Sequence, residues 1–268
     1  MRYAVLLTVL SHVTAFHAQT HSPQPRARAS APKAGITSFA IGIPAGLKAV
    51  SLTTMVAPVL GAGLANTMFF SGLPEVLEKR REGDLGDFNP LPLPIIFGNT
   101  LGWLTYSLLT GDPFVAAANA PGLLLSGWYV MTAVQLAGAD MVKRIERLTL
   151  TMGAIHMVAG LVAAFVLPTR SAMVAMYGIL CNAILLAYYG APLSTIATVL
   201  QERSAASIYL PTVLVNGANG LFWAMYALAI NDRYLLVPNA IGVALASVQT
   251  ALCVRFRPKP NEPVVVIA

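Results

Sequence analysis

The chain has 268 residues, of which 56% are apolar and only 10% are charged, and its mean hydropathy is +0.68. A soluble domain carries about 25% charged residues, so this composition excludes a soluble globular protein and indicates a membrane protein. The net charge of +6 does not indicate a nucleic-acid partner, because most of the basic residues gather in short segments between apolar runs.

The N-terminal segment differs from the rest of the chain. Residues 1–16 combine Arg2 with a short apolar run, which is typical of a signal peptide. Residues 17–48 are rich in Ala, Ser, Pro and basic residues and contain no acidic residue, which is the composition of a transit peptide. The two together resemble the bipartite presequences of plastids bounded by extra membranes; a plain signal peptide or a disordered tail is the alternative. We therefore predict a presequence at 1–48 and a plastid envelope membrane, or otherwise the plasma membrane or an endomembrane.

Seven apolar runs between charged or Gly/Pro breaks predict seven transmembrane helices, since a bilayer core requires about 20 apolar residues per helix. Helices satisfy their own backbone hydrogen bonds in lipid, so the predicted fold class is an all-α membrane protein. The runs cover residues 51–73, 92–110, 114–138, 148–168, 171–191, 207–230 and 234–254.

The basic residues predict the orientation of these helices. Ten of the 17 Lys and Arg residues fall in four segments on one side of the predicted membrane, which we call the basic side: Lys79, Arg80, Arg81, Lys143, Arg144, Arg147, Arg203, Arg255, Arg257 and Lys259. Loops on the opposite side carry only Arg170 and Arg233. The positive-inside rule places the basic side, with a tail at 257–268, in the cytosol or its topological equivalent.

An internal repeat organises the membrane region. When the sequence is shifted by 120 residues, nine of the 24 positions from Asn99 to Gly122 are identical. The pairs are Asn99/Asn219, Leu101/Leu221, Trp103/Trp223, Tyr106/Tyr226, Leu108/Leu228, Asp112/Asp232, Asn119/Asn239, Ala120/Ala240 and Gly122/Gly242.

A three-helix unit ends on the opposite side of the membrane from where it began, so two such units have the same orientation only when one more helix crosses the membrane between them. Parallel repeats of this kind bind their substrates near the midplane of the membrane. We therefore predict a first repeat at 49–138, a linker helix at 139–169 and a second repeat at 170–256. Pro74 and Pro192 are expected to end the first helix of each half.

Two matching stripes of polar and aromatic residues are expected to face the interior, because residues at i, i+4 and i+7 share a helix face and polar residues in spans avoid lipid. They are Asn99, Trp103 and Tyr106 in the first half and Asn219, Trp223 and Tyr226 in the second. Asn119 and Asn239 can face each other across the twofold axis. Amides both donate and accept hydrogen bonds, and beside aromatic walls they suit a sugar. Hydrogen bonding between helices is the alternative for Asn99 and Asn219.

These residues, with the motifs Ala191-Pro192-Leu193-Ser194, Asp112-Pro113 and Val237-Pro238-Asn239, give residues 58–256 a resemblance to the SWEET sugar-transporter family. The resemblance implies a facilitative sugar uniporter that works by alternating access, with Asn119 and Asn239 as substrate contacts. Trp103 and Trp223 are expected to form the walls because they lie in the middle of their spans and recur in the repeat, although many relatives carry a smaller residue at the Trp103 position. Related proteins often assemble, so the resemblance also makes a homo-oligomer an expectation, although each chain here holds both halves and could transport alone.

The resemblance further implies two gates. Tyr106, Tyr226 and Asp232 are expected to close the outer gate; helix capping is the alternative for Asp232 and for Asp112. A proline from each of four helices is expected to form the inner-gate hinge: Pro74, Pro92, Pro192 and Pro211. Pro211 stands two residues later than the family pattern places it.

Several chemistries are not expected. All the Asp and Glu residues fall in loops, tails or helix ends, so proton coupling is not predicted. His156 is the only histidine beyond the N-terminal segment, and Cys181 and Cys253 are far apart in sequence, so neither a metal site nor a cofactor nor enzyme activity is predicted. The alternatives are a carrier of another small neutral or amino-acid solute and a non-transporting seven-helix receptor or scaffold. Two Trp walls favour a monosaccharide over sucrose.

Overall fold

The computed structural model describes residues 51–256. The predicted presequence at 1–48 and the predicted tail at 257–268 lie outside the described residues.

The described part of the chain consists of helices and short connections. A π-helical turn, Leu52–Val56, leads into nine α-helices: α1 (Ala57–Ser71), α2 (Leu73–Glu82), α3 (Pro92–Thr110), α4 (Pro113–Leu136), α5 (Ala139–Phe165), α6 (Arg170–Tyr188), α7 (Gly190–Glu202), α8 (Leu210–Ile230) and α9 (Arg233–Arg255).

Six helical segments are long and apolar enough to cross a membrane: Leu52–Glu82, Pro113–Leu136, Ala139–Phe165, Arg170–Glu202, Leu210–Ile230 and Arg233–Arg255. The remaining predicted span is α3, whose 19 residues reach about 28 Å at 1.5 Å per residue, close to the thickness of a bilayer core. Helix α3 is less apolar than those six segments because it contains several polar residues. Two of these, Thr100 and Ser107, are buried inside the protein and so do not face lipid. The all-α membrane fold predicted from the sequence is confirmed.

The first helix of each half ends a few residues before its predicted proline, α1 at Ser71 and α6 at Tyr188, but helical structure continues beyond that point. The helix breaks at Gly72 and at Tyr189 and resumes at once as α2 and α7. Pro74 and Pro192 then lie in the first turn of the new helix, where the missing N–H of proline leaves no hydrogen bond unmade. The residues that follow are good helix formers, so helical structure continues.

The linker helix α5 begins at Ala139, the residue at which the linker was predicted to begin, although the apolar run starts nine residues later. Its first turns carry Lys143, Arg144, Glu146 and Arg147. These charged turns are helical but lie outside the uncharged run. Charged residues mark the edge of the apolar layer, and a helix can extend beyond that edge.

The two halves interlock through their first helices. Helix α1 packs against α8 of the other half, and α6 packs against α3. Within the halves, α3 pairs with α4 and α8 pairs with α9. The core at this junction includes Trp103, Tyr106, Trp223 and Tyr226, so the repeated residues lie where the halves meet.

The linker helix packs on the first half, against α3 and α4. Two glycines of α3 permit this close contact. A Cβ on Gly98 would lie 2.7 Å from Met152 Sδ, and a Cβ on Gly102 would lie 3.0 Å from the His156 ring. His156 also makes a 2.8 Å hydrogen bond through Nε2 to the Gly98 carbonyl oxygen.

Candidate functional site

A cavity of about 150 Å³ lies at the junction of the two halves. All six residues that the sequence predicts as substrate contacts line it: Asn99, Trp103, Asn119, Asn219, Trp223 and Asn239. Asn99 and Trp103 lie near the middle of α3, so the cavity is near the middle of the helical layer. The structure therefore brings together side chains that are up to 140 residues apart in sequence.

Asn119 and Asn239 are held in the same way. The Asn119 side-chain N–H donates to the Val115 carbonyl oxygen at 2.9 Å, and that of Asn239 donates to the Leu235 carbonyl oxygen at 2.7 Å. Each bond fixes the amide against its own helix and uses one of its two N–H groups. The second N–H and the carbonyl oxygen of each amide are left for a ligand.

Asn99 and Asn219 present a different feature. Their side-chain oxygens are buried and have no hydrogen-bond partner among the described residues. A buried acceptor without a partner costs about 1 to 3 kcal/mol. Both residues line the cavity, so a ligand hydroxyl that donates to these oxygens would remove that cost. Their oxygens do not form the interhelical bonds that were the alternative interpretation.

Two indole rings form the walls of the cavity. Trp103 and Trp223 meet Tyr106 and Tyr226 edge to face, with ring centroids 5.5 and 6.1 Å apart. Trp223 lies directly on the α1 backbone, because a Cβ on Gly61 would lie 2.9 Å from its Nε1. This position is therefore fixed by the absence of a side chain at residue 61.

Two tyrosine–aspartate pairs lie between the cavity and the side opposite the basic side. The Tyr106 hydroxyl donates to both carboxylate oxygens of Asp232, at 2.9 and 2.8 Å. The Tyr226 hydroxyl donates to Asp112 Oδ2 at 2.9 Å. Both tyrosines are buried, and each pair joins one half to the other. Together they close this end of the cavity.

The two aspartates also cap helices. Asp112 Oδ1 accepts from the backbone N–H groups of Phe114 and Val115, and Asp232 Oδ1 accepts from those of Tyr234 and Leu235. Capping and pairing with tyrosine are thus not alternatives, because one carboxylate does both.

Asp112 is the residue of this closure that the sequence analysis did not assign to the outer gate. The signal that could have found it is the repeat itself. Asp112 is the partner of Asp232 at the offset of 120 residues, so any role of Asp232 toward the other half has its counterpart in Asp112.

Space continues from the cavity toward the basic side. A second cavity of about 370 Å³ shares Leu185, Asn219 and Asn239 with the first and extends past Tyr189 and Pro192. The Tyr189 hydroxyl donates to the Pro238 carbonyl oxygen, next to Asn239. Among the described residues, no hydrogen bond between a tyrosine and an aspartate lies on the basic side of the cavity.

The four predicted hinge prolines fall into two structural classes. Pro92 and Pro211 lie in the first turns of α3 and α8, where proline does not bend a helix. Pro74 and Pro192 lie just after the breaks that separate α1 from α2 and α6 from α7.

The first helices of the halves also supply residues that the sequence analysis missed. Phe69 and Leu185 line the cavity. The Asn66 side chain donates to the carbonyl oxygens of Ala62 and Ala117. The Asn182 side chain donates to the carbonyl oxygens of Gly178 and Tyr234. Each amide therefore links the first helix of its half to the third by a hydrogen bond. These pairs are 116 residues apart and are therefore invisible to the 120-residue shift.

No group of three or more His, Cys, Asp or Glu residues that could hold a metal occurs within residues 51–256. Cys181 is fully buried against Gly102.

The family model described as "Sugar efflux transporter for intercellular exchange" matches residues 57–138 and 175–261. The chain is similar to "Sugar transporter SWEET1" of Caenorhabditis elegans, with 28% identity over 73% of this chain and 63% of that one, which is less than two thirds of the worm protein. It is also similar to "Sugar transporter SWEET1" of Danio rerio, with 26% identity over 66% of this chain and 80% of that one. With "Bidirectional sugar transporter SWEET4" of Oryza sativa subsp. indica the identity is 29% over 72% of this chain and 76% of the rice protein.

The fold matches that of a solved eukaryotic SWEET transporter with a TM-score of 0.68 at 20% identity, over 75% of this chain and 95% of the other. The two regions that the family model matches lie on either side of the linker helix α5, as expected for a repeat. The chain therefore belongs to the SWEET family of sugar efflux transporters for intercellular exchange.

Proposed function

We propose that this chain is a uniporter that carries a neutral sugar across its membrane by exposing the central cavity to one side at a time. Sugar transport follows from family membership. The observation that carries the proposal for this site is that four amides and two indoles, contributed equally by the two halves, converge on one cavity.

The cavity chemistry fits a sugar better than the alternative solutes. A sugar offers hydroxyl groups at its edge and C–H groups on its faces. The amides can both donate to and accept from hydroxyls, and the two unpartnered oxygens of Asn99 and Asn219 need donors. Among the described residues, none that lines the cavity is charged, so this lining offers no group to neutralise the ammonium or carboxylate of an amino acid.

Passive transport is supported by the positions of the carboxylates. Asp112 and Asp232 both accept hydrogen bonds from a tyrosine of the other half and from backbone N–H groups at the start of a helix. Proton-coupled carriers relay protons through carboxylates inside the membrane. We therefore propose that the sugar gradient alone drives transport.

The proposed gates follow from the same geometry. We propose that Tyr106, Tyr226 and both aspartates form the outer gate, and their hydrogen bonds between the halves support this. The break between α1 and α2 lies before Pro74, and the break between α6 and α7 lies before Pro192. Bending is easiest at these breaks, because fewer helical hydrogen bonds resist movement there. We propose that these two prolines act as hinges of the inner gate and that Pro92 and Pro211 fix the starts of α3 and α8 against which they move.

The two indole walls favour a monosaccharide such as glucose over a disaccharide. Trp103→Ala should therefore let the cavity accept sucrose. Uptake of both sugars by the variant, compared with wild type, measures this. Unchanged selectivity in a variant that still transports glucose would contradict it.

The deciding experiment is uptake of radiolabelled glucose and sucrose into liposomes that contain the purified chain and no ion gradient. Equilibration of either sugar supports the uniport proposal. Transport that collapses when a pH gradient is removed, with the sugar gradient held constant, would reject it. A protein that binds sugar but passes none would instead support the receptor alternative.

We also propose delivery to a plastid envelope, on the composition of residues 1–48 alone. A fluorescent protein fused to the C-terminus should label the plastid rim. Labelling confined to the plasma membrane would reject this location and leave the transport proposal intact.

A further inference from the structure

The outer surface of the second half carries a groove. This groove, about 510 Å³ in volume, runs between α8 and α9 along the membrane-facing surface. Gly217 and Ser247 line it, and the 120-residue shift pairs them with Phe97 and Gly127 of the first half. In the first half the Phe97 ring lies over Gly127, since a Cβ there would be 3.4 Å from it. The groove exists because the second half has no ring at this position.

The lining of the groove is apolar even where it carries hydroxyl groups. Ser247 donates to the Val243 carbonyl oxygen at 2.8 Å, and Thr250 donates to that of Ala246 at 2.8 Å. Both hydroxyl protons are thus used within α9. A hydrocarbon chain can occupy such a groove without leaving a polar group unpaired.

One end of the groove is basic. Val243, Ser247 and Ala251 line it at intervals of four residues, and Arg255 continues that stripe one turn closer to the basic side. The Arg255 guanidinium lies 5.2 Å from the centre of the Phe256 ring, and the Arg203 guanidinium lies 5.5 Å from the same ring. Two cations are therefore gathered at one aromatic side chain.

These two arginines have no carboxylate partner in the part of the chain that the structure describes, where the salt bridges are Lys79–Glu82 and Lys143–Asp140. Both arginines are exposed. Like charges held close together favour an anion between them, and arginine binds phosphate through two parallel hydrogen bonds. Clusters of basic residues at this depth of a membrane recognise anionic lipid headgroups.

We propose that the α8–α9 groove binds an anionic phospholipid, with one acyl chain between the helices and the phosphate at Arg203 and Arg255. The site lies on the outer surface of the second half and shares no residue with the sugar cavity. It does not depend on the transported solute.

The test compares binding of phosphatidylglycerol and phosphatidylcholine with identical acyl chains to the purified full chain in detergent, by native mass spectrometry. Wild type should prefer phosphatidylglycerol. Arg203→Gln with Arg255→Gln should weaken phosphatidylglycerol binding by about 25-fold, because each arginine near an anionic surface contributes roughly a factor of five. The matched control is Arg144→Gln with Arg147→Gln, which removes two exposed charges on the same side from the linker helix and should leave binding unchanged.

A second pair of variants tests the acyl-chain part of the site. Ala251→Phe should fill the groove and weaken binding of both lipids, whereas Ala154→Phe, at an exposed position of α5, should not. All variants should retain sugar flux in phosphatidylcholine liposomes, which shows that they are folded. Equal phosphatidylglycerol binding by wild type and the Arg203, Arg255 variant would overturn the proposal. So would a dimer that Ala251→Phe disrupts while lipid binding persists, because the occupant would then be a second copy of the chain.

Discussion

The inner faces of the two halves carry the same side chains, whereas their outer faces do not. Asn99, Trp103 and Asn119 of the first half recur as Asn219, Trp223 and Asn239 at one cavity. On the outer faces, the repeat pairs Gly98 with Ala218, Gly102 with Phe222, and Phe97 with Gly217.

The difference follows from what each face contacts. The inner faces contact each other across an approximate twofold axis, so a change on one side meets the unchanged residue on the other. The outer face of the first half receives the linker helix on the small residues Gly98 and Gly102. In the described part of the chain, α8 of the second half packs against α9, α1 and the π-helical turn Leu52–Val56, and the groove between α8 and α9 is open. Residues are repeated where their surroundings are repeated.

The largest effect is expected when both members of the Asn119, Asn239 pair are removed. Asn119→Ala with Asn239→Ala should lower sugar flux by about 10- to 100-fold, since each lost hydrogen bond is worth about 0.5 to 1.5 kcal/mol. Sugar flux into liposomes measures this. The two single variants should lose about as much flux as each other, because the two amides are held in the same way. Gln135→Ala removes an exposed amide from the same helix as Asn119 and should be silent. Very unequal losses of flux in the single variants would show that the inner faces of the two halves do not contribute equally to transport.

A glycine on α1 offers a test of the Trp223 wall. Gly61→Ala should lower glucose flux by about tenfold, because the new methyl group would lie 2.9 Å from Trp223 Nε1 and overpacking costs about 1 to 3 kcal/mol. The matched control is Gly63→Ala, where a Cβ meets nothing within 4 Å. Equal flux in the two variants would show that the position of Trp223 does not limit transport.

The tyrosine–aspartate pairs allow the two halves to be compared at the outer gate. Tyr106→Phe and Tyr226→Phe each remove one hydrogen bond to a carboxylate, worth about 1.5 to 3 kcal/mol. Each should open the gate more often. Labelling of a Val115→Cys cavity reporter by an impermeant maleimide from the side opposite the basic side should rise by about fivefold, in a background with Cys253 replaced by Ser.

Tyr209→Phe is the control for this comparison, because Tyr209 is exposed and lies on the basic side. Each tyrosine hydroxyl donates one proton to a carboxylate of the other half, so the two variants should show rises of similar size. Labelling that stays at the wild-type level in both variants would mean that these pairs do not form the gate.

The smallest effect is expected on the outer face of the first half. His156→Leu keeps an apolar body of similar size but loses the bond to the Gly98 carbonyl oxygen, so unfolding should require about 1 kcal/mol less. A thermal unfolding assay in detergent should show a small fall in Tm, with glucose flux within twofold of wild type. Met157→Leu, at an exposed neighbouring position, should change neither. A large loss of flux in His156→Leu would show that the linker helix contributes to transport and does not merely pack.

Much of the fold was predictable because each step rests on a strong local signal. Long apolar runs predict the spans, and a repeat in Asn, Trp and Asp cannot arise from apolar composition alone. The ends of the helices were less predictable. The helices α2 and α7 follow directly after a break, and the sequence contains the prolines that mark the breaks but no signal that tells an ended helix from a resumed one.

The candidate site was predictable as a list of residues and only partly as a set of contacts. Helical periodicity shows which side chains share a face, as for Asn99, Trp103 and Tyr106. It does not show which neighbour that face meets. The pairing of Tyr226 with Asp112 and the contributions of Phe69 and Leu185 therefore required the structure.

The sequence by itself determined that this is an all-helical membrane protein with two similar halves and a linker, and it indicated which residues face inward. Those properties follow from hydropathy, helical period and internal repetition, all of which are local or can be compared along the chain. Tertiary structure alone decided that the side-chain oxygens of Asn99 and Asn219 lack partners, that the cavity is closed on one side, and that the second half has an open groove. These depend on the distances between helices, which side-chain packing across the whole bundle sets.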